Sequence, residues 1–137
     1  MGLAMAYWLL KSEPGSYGWD DLVRDGGTEW DGIRNAAARL HLRAMRDGDE
    51  AFIYHSGADK AVVGTARIAR GPASDPADEK WVSVRVEPMR ALPAPVTLMA
   101  IKADSRLTAL EMLRQSRLSV SPVRKDEWAA ILDLAQL

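Results

Sequence analysis

Cysteine is absent from the 137-residue sequence. Disulfides and thiolate metal sites are thereby excluded, and cysteine usage leaves the redox compartment undetermined. Histidine is scarce, with His41 and His55 the two copies, and neither sits in a His/carboxylate spacing that holds a metal. An excess of charge is lacking as well: 18 Lys+Arg stand against 19 Asp+Glu, a net charge of -1. A large non-specific grip on duplex DNA needs many uncompensated phosphate contacts and is disfavoured, whereas a local basic rim is not. No apolar run approaches the ~18 residues of a membrane span. The opening Met1-Gly2-Leu3-Ala4-Met5-Ala6 lacks the basic region of a signal peptide and the Ser or Thr of a myristoylation site. The expectation is a cytoplasmic, monomeric protein with no membrane partner, no metal and no cofactor.

What is present suffices for one real core. Hydrophobic residues make up 47% of the chain, ordinary for a globular protein. Five tryptophans, Trp8, Trp19, Trp30, Trp81 and Trp128, outnumber the one phenylalanine and three tyrosines. Most should be core, each indole N–H finding a partner.

The apolar pattern predicts a strand over Met5–Lys11 with two apolar faces, hence a central strand. Ser16–Arg24 reads as a short helix facing inward with Trp19, Leu22 and Val23, stopped at Asp25-Gly26-Gly27. The clearest helix is Ala36–Met45, with Asn35 as N-cap and Ala37, Leu40, Ala44 and Met45 as its apolar stripe. Arg39, Arg43 and Arg46 would lie on the other side. Glu50–His55 and Val62–Ala69 read as a hairpin, with Gly64 marking a bulge or a close approach. Gly71–Glu79 reads as a surface loop. Trp81–Glu87 alternates as a strand with Val82, Val84 and Val86 inward, and Pro88, Pro93 and Pro95 then make an extended connection. Thr97 would cap a helical turn over Thr97–Ile101, Ser105–Leu113 would be a short helix, and Lys125–Leu134 a closing helix with Trp128, Ile131 and Leu132 inward.

Four polar stretches do not read as core. Trp30-Asp31-Gly32-Ile33-Arg34-Asn35 puts a flat apolar ring beside an acceptor, a five-donor fork and an amide, with Gly32 letting the backbone turn. Lys11-Ser12-Glu13 ends the first strand. Tyr54-His55-Ser56-Gly57 ends the second. Arg114-Gln115-Ser116-Arg117-Leu118-Ser119-Val120 carries two arginines and falls between a helix and an extended piece.

With Tyr7-Trp8-Leu9-Leu10-Lys11-Ser12-Glu13-Pro14, these stretches resemble the EVE-domain family over nearly the whole chain. The resemblance implies an α+β fold, a PUA-like mixed and partly closed β-barrel surrounded by short helices. It implies a single domain over residues 5–137, with residues 1–4 an N-terminal extension. It also implies kinship with YTH domains and a non-catalytic module that binds a modified base in DNA or RNA, 5-methylcytosine or 5-hydroxymethylcytosine foremost. Trp30 is the candidate stacking platform. Asn35, Ser12, Lys11, Tyr54 and His55 complete the candidate base pocket. Arg34, Arg114 and Arg117, with Ser116 and Ser119, form the candidate phosphate rim. The family usually carries bulky residues such as Tyr-Gln after Arg-Asn, where this chain has Ala36-Ala37, which implies a wider or differently shaped pocket. The competing readings are an enzyme or small-ligand domain of the ASCH type, with Glu13, Asp31 and His55 as acid–base groups. No supporting Ser-His-Asp or metal motif accompanies them.

Overall fold

A strand that is apolar on both faces sets the architecture. In a computed structural model that describes residues 5–31, 33–75 and 78–136, β1 (Tyr7–Ser12) buries Trp8, Leu9 and Leu10. It lies inside a sheet of six strands ordered β2-β5-β4-β3-β1-β6. The elements in chain order are β1, α1 (Pro14–Tyr17), α2 (Trp19–Asp25), β2 (Thr28–Trp30), α3 (Ala36–Ala44), β3 (Glu50–His55), β4 (Ala61–Asp75) and β5 (Asp78–Thr97). Then come α4 (Leu98–Ala103), a 3-10 turn over Ser105–Leu107, α5 (Glu111–Arg114), β6 (Val120–Val123) and α6 (Lys125–Leu134). The pairing is antiparallel except between β1 and β3, so the sheet is mixed. It does not close: β2 and β6 are its two ends. Helix α3 packs against β6, β5 and β4, and so bridges strands near both ends.

Because alternate residues of a strand face opposite sides, β1 feeds two cores. Trp8 and Leu10 join Ile53, Val84 and Val86 beneath Leu22 of α2 and Ala38 and Leu42 of α3. Leu9 joins Phe52, Val62 and Val96 beneath Ile101, Met112 and Ile131. On that side Trp128 stacks on Phe52 and Tyr7, with ring centroids 3.8 and 4.6 Å apart.

Several expectations are corrected. The buried stripe of α3 is Ala38, Leu42 and Met45, while Leu40 is 64% exposed. An alanine-rich helix offers two apolar stripes of similar quality, and only the one at i, i+4, i+7 from Ala38 meets the sheet. Arg39 lies on the inner side instead, 5.4 Å from the centroid of Trp81. Val23 is exposed. The helix expected from Ser16 divides at Gly18 into α1 and α2. The stretch from Ser105 divides into a 3-10 turn and α5.

The largest difference is the β4–β5 hairpin, which absorbs both the expected surface loop and the proline-rich connection. Pro88 stays opposite Ala66 beside a register shift, and Pro93 and Pro95 survive because the ladder is interrupted where they fall. Gly64 pairs with Ala91 and Val62 with Val96, so Leu92–Pro95 bulge out opposite one residue. A proline in a bulge forfeits no ladder hydrogen bond. Gly71-Pro72 likewise sits in the register shift between Arg70 and Ala73. Gly64 marks a close approach, but of a side chain: a Cβ there would lie 2.5 Å from the Trp19 ring. Among the described residues, no helix is long and apolar enough to cross a membrane.

Candidate functional site

The parallel register of β1 and β3 places Lys11 beside Tyr54 and Ser12 beside His55. The two strand ends thus carry two of the polar stretches side by side. Lys11 and Ser12 face opposite sides of the sheet, and a cavity opens on each.

On the Ser12 side, a cavity of about 270 Å³ is lined by Ser12, Tyr17, Thr28, Glu29, Trp30 and Asp31. Trp30 reaches it from β2, held opposite Val84 of β5. It is only 8% exposed and packs into the core with Trp8 and Ala38, so a small part of its ring faces the cavity. Tyr17 supplies a second aromatic wall. Its hydroxyl donates to Asp25 Oδ2 at 2.9 Å, and burial followed by that bond raises its pKa. Glu29 is already engaged: Arg70 donates to it at 2.8 Å, Ser83 Oγ at 2.9 Å, and the Arg70 bond foremost holds its carboxyl below the ordinary range. Two groups remain unengaged. Ser12 Oγ is enclosed without a partner, and the exposed Asp31 has none among the described residues. Gly32, the expected turn residue, lies outside the described residues.

On the Lys11 side, a cavity of about 220 Å³ is lined by Lys11, Tyr54, Ser116 and residues of the β3–β4 loop, α4 and α5. Lys11 Nζ donates to the Ser116 carbonyl at 2.8 Å and lies 5.8 Å from the Tyr54 ring centroid. Burial lowers the pKa of the Lys11 ammonium and raises that of the Tyr54 phenol. The Lys11 backbone N–H donates to the Ser119 carbonyl at 2.9 Å, which stitches β1 to the run after α5.

A third, more open concavity of about 340 Å³ is lined by Asn35 and by Arg114–Leu118. Asn35 acts as expected at the start of α3, its Oδ1 accepting from the Ala38 N–H at 2.9 Å. Asn35→Ala is therefore expected to cost about 1 kcal/mol of unfolding free energy, with Asn35→Asp close to wild type. A denaturation midpoint unmoved in Asn35→Ala would remove the capping role. Arg114 is exposed, 3.9 Å from Glu111, and Arg117 forms no ion pair among the described residues.

The expected site residues are thus distributed around one strand end. Ser12 and Trp30 share a cavity, as do Lys11, Tyr54 and Ser116, while Asn35, Ser116, Arg114 and Arg117 share the third. Arg34 and Ser119 line none of the three, although Arg34 is exposed nearby in sequence. Ala36 and Ala37 are exposed on the first turn of α3 and also line none.

His55 lines none of the three cavities. Its Nε2 accepts from the Trp19 backbone N–H at 2.9 Å and its Nδ1 lies 3.1 Å from Asp59 Oδ2. A neutral ring protonated at Nδ1 satisfies both bonds, so His55 positions α2 and has no ring nitrogen left for a ligand. Tyr17 was not visible as a site residue, because it falls within Ser16–Arg24, which reads only as a short helix facing inward with Trp19, Leu22 and Val23. Among the described residues, no group of three His, Asp or Glu side chains could hold a metal ion.

Residues 6–134 match the EVE domain family. Mouse thymocyte nuclear protein 1 is 31% identical over 95% of this chain and 74% of its own. A Rhodopseudomonas palustris protein solved by NMR superposes with a TM-score of 0.92 at 45% identity, covering 96% of this chain and 94% of that one. Human THYN1 in complex with DNA containing 5-methylcytosine superposes with a TM-score of 0.89 at 27% identity, covering 96% and 98%. The fold is thus the mixed, PUA-like α+β arrangement of these neighbours. A family match from the first residues of β1 to the end of α6 takes in all the motifs that surround the strand ends, and the chain belongs to the EVE-domain family.

Proposed function

We propose that this protein is a non-catalytic nucleic-acid-binding module that takes one modified base of the 5-methylcytosine type into the Ser12–Tyr17–Trp30–Asp31 cavity. The observation that carries this reading is the cavity itself: two aromatic walls, the exposed and unengaged Asp31 carboxylate at its edge, and in its lining the Ser12 hydroxyl, enclosed without a partner. The human relative bound to 5-methylcytosine-containing DNA supports the ligand class.

The chemistry follows from base edges. A cytosine presents an exocyclic amino group, which a carboxylate such as Asp31 accepts from. Its ring nitrogen and carbonyl are acceptors, suited to a hydroxyl donor such as Ser12 Oγ. A base held this way must leave its stack, and stacking on an aromatic wall repays about 1–3 kcal/mol of that cost. Arg114 and Arg117 line the neighbouring open concavity, where flanking phosphates would run.

The test is a titration against matched DNA and RNA oligonucleotides carrying cytosine, 5-methylcytosine, 5-hydroxymethylcytosine or N6-methyladenine. One methyl in a fitted pocket gives about 10–200-fold discrimination, so 5-methylcytosine is expected to bind about tenfold or more tightly than cytosine. Equal binding of all four bases would refute base reading. Arg114→Ala with Arg117→Ala is expected to weaken every oligonucleotide alike and to lower the salt slope by about 1 for each phosphate left without its arginine. A slope identical to wild type would move the phosphate path elsewhere.

A further inference from the structure

The cavity on the Lys11 side has no role in that reading. Three lysines line it: Lys11 at the end of β1, Lys60 at the end of the β3–β4 loop, and Lys102 in α4. Among the described residues, no carboxylate lines it. Of the acidic residues close to the lysines in sequence, the exposed Glu13 does not line the cavity, and the others are engaged with other partners. Asp59 faces His55, and Glu111 is held by Gln115 and lies near Arg114. Asp104 is gripped by Arg106, whose hydrogen bonds lower its pKa to about 2. Among the described residues, Lys60 and Lys102 form no ion pair.

The rest of the lining is suited to a small anion with an organic attachment. Ser56 and Ser116 and the Tyr54 phenol lie among the lysines, and Leu98, Met112 and Leu113 make an apolar wall. Its volume of about 220 Å³ falls below the ~300–1,000 Å³ usual for whole small-molecule ligands. It suits a phosphate with part of its sugar. Lys60 also sits in the left-handed region at φ 44°, where its carbonyl accepts from the Leu98 N–H at 2.7 Å. A lysine held in a conformation that glycine or asparagine adopts more cheaply is the kind of strain that collects at ligand sites.

We propose that the Lys11–Lys60–Lys102 cavity is a phosphate-binding site, distinct from the base cavity on the other face of the sheet, that takes the phosphate group of a nucleotide. Two sources share this chemistry: a terminal phosphomonoester, and an internal phosphodiester of a bound strand. A dianionic phosphomonoester matches three ammoniums better in charge than a single-charged diester.

The experiment uses the intact chain and NMR-monitored titration with inorganic phosphate, cytidine, cytidine 5′-monophosphate, and one oligonucleotide made with either a 5′-phosphate or a 5′-hydroxyl. Cytidine 5′-monophosphate is expected to bind about tenfold or more tightly than cytidine, the size of one to two charge-assisted bonds, with shifts at Ser56, Lys60 and Lys102. Lys60→Ala with Lys102→Ala removes two exposed ammoniums that take no described part in holding the fold, and should cut the phosphate-dependent gain about tenfold or more. A 5′-phosphate advantage that disappears in that double variant identifies the terminal group. Equal oligonucleotides, both weakened by it, identify an internal phosphodiester. The proposal is overturned if nucleotide and nucleoside bind alike, or if the double variant binds every phosphate probe as wild type does. Shifts confined to Ser12, Tyr17 and Trp30 would likewise overturn it while leaving base reading intact.

Discussion

Asp49→Ala should lower the unfolding free energy by about 3–5 kcal/mol, the sum expected when several buried donors lose their acceptor. Asp49 is 3% exposed, at the junction between α3 and β3. Its carboxylate accepts from the Ala6 N–H at 3.1 Å, the Trp8 indole N–H at 3.0 Å and the Arg46 N–H at 2.9 Å. One side chain therefore ties the start of β1, a core tryptophan and the end of α3 to the start of β3. Alanine leaves all three donors without that acceptor, and the buried Trp8 indole N–H has little access to replacement water. Asn keeps one carbonyl oxygen and the shape, so Asp49→Asn should lose about half as much. Urea denaturation decides: the midpoint should fall while the slope stays constant. A midpoint within ~0.5 kcal/mol of wild type in Asp49→Ala would show that these donors find other partners.

Asp49 also shows where sequence reading stops. The end of the helix near Met45 is legible, but nothing local says that Asp49 turns inward to bind residues some 40 positions away. Features set by short-range chemistry were legible. Asn35 and Thr97 cap their helices through bonds to the N–H three residues on, at 2.9 and 3.1 Å. The doubly apolar β1 lies inside the sheet, and Trp128 and Ile131 of α6 are buried. Features set by tertiary choice were not. Which stripe of α3 faces inward depends on the sheet beneath it. Whether Pro93 and Pro95 end a strand or ride in a bulge depends on what β4 offers opposite them.

The candidate site divides in the same way. That Lys11-Ser12 and Tyr54-His55 belong together is a consequence of two strands ending side by side, and the motifs themselves announced it. That Ser12 and Lys11 open into different cavities follows only from the pleat. His55 looked like a ligand because its two partners, the Trp19 N–H and Asp59, are invisible as partners in sequence. Lys60 and Lys102 carried no signal, since isolated surface lysines are the commonest thing on a protein.

Trp30→Ala should cost about 3–5 kcal/mol of stability, as truncation of a buried aromatic does, and any loss of binding would then be uninterpretable. Trp30 is buried in the core and is the last residue of the three-residue edge strand β2, directly before Asp31. Removing it loosens the same segment that carries the proposed acceptor. The role of the aromatic walls is better separated with Trp30→Phe and Tyr17→Ala. Phenylalanine keeps an apolar ring in the core and should cost about 1–2 kcal/mol, far less than alanine. Tyr17 is half-buried and its hydroxyl makes one bond to an exposed carboxylate, so Tyr17→Ala should stay within about 1.5 kcal/mol of wild type. If the base lies against Tyr17, that variant loses about 1–3 kcal/mol of binding to the modified oligonucleotide, and Tyr17→Phe recovers most of it. If Tyr17→Ala binds normally and Trp30→Phe does not, the small exposed part of Trp30 is the platform. Normal binding by both folded variants would exclude Tyr17 as the platform and leave at position 30 only stacking that a phenylalanine ring also supplies; Trp30→Leu removes that ring, and normal binding by the folded leucine variant would mean that the base does not enter this cavity.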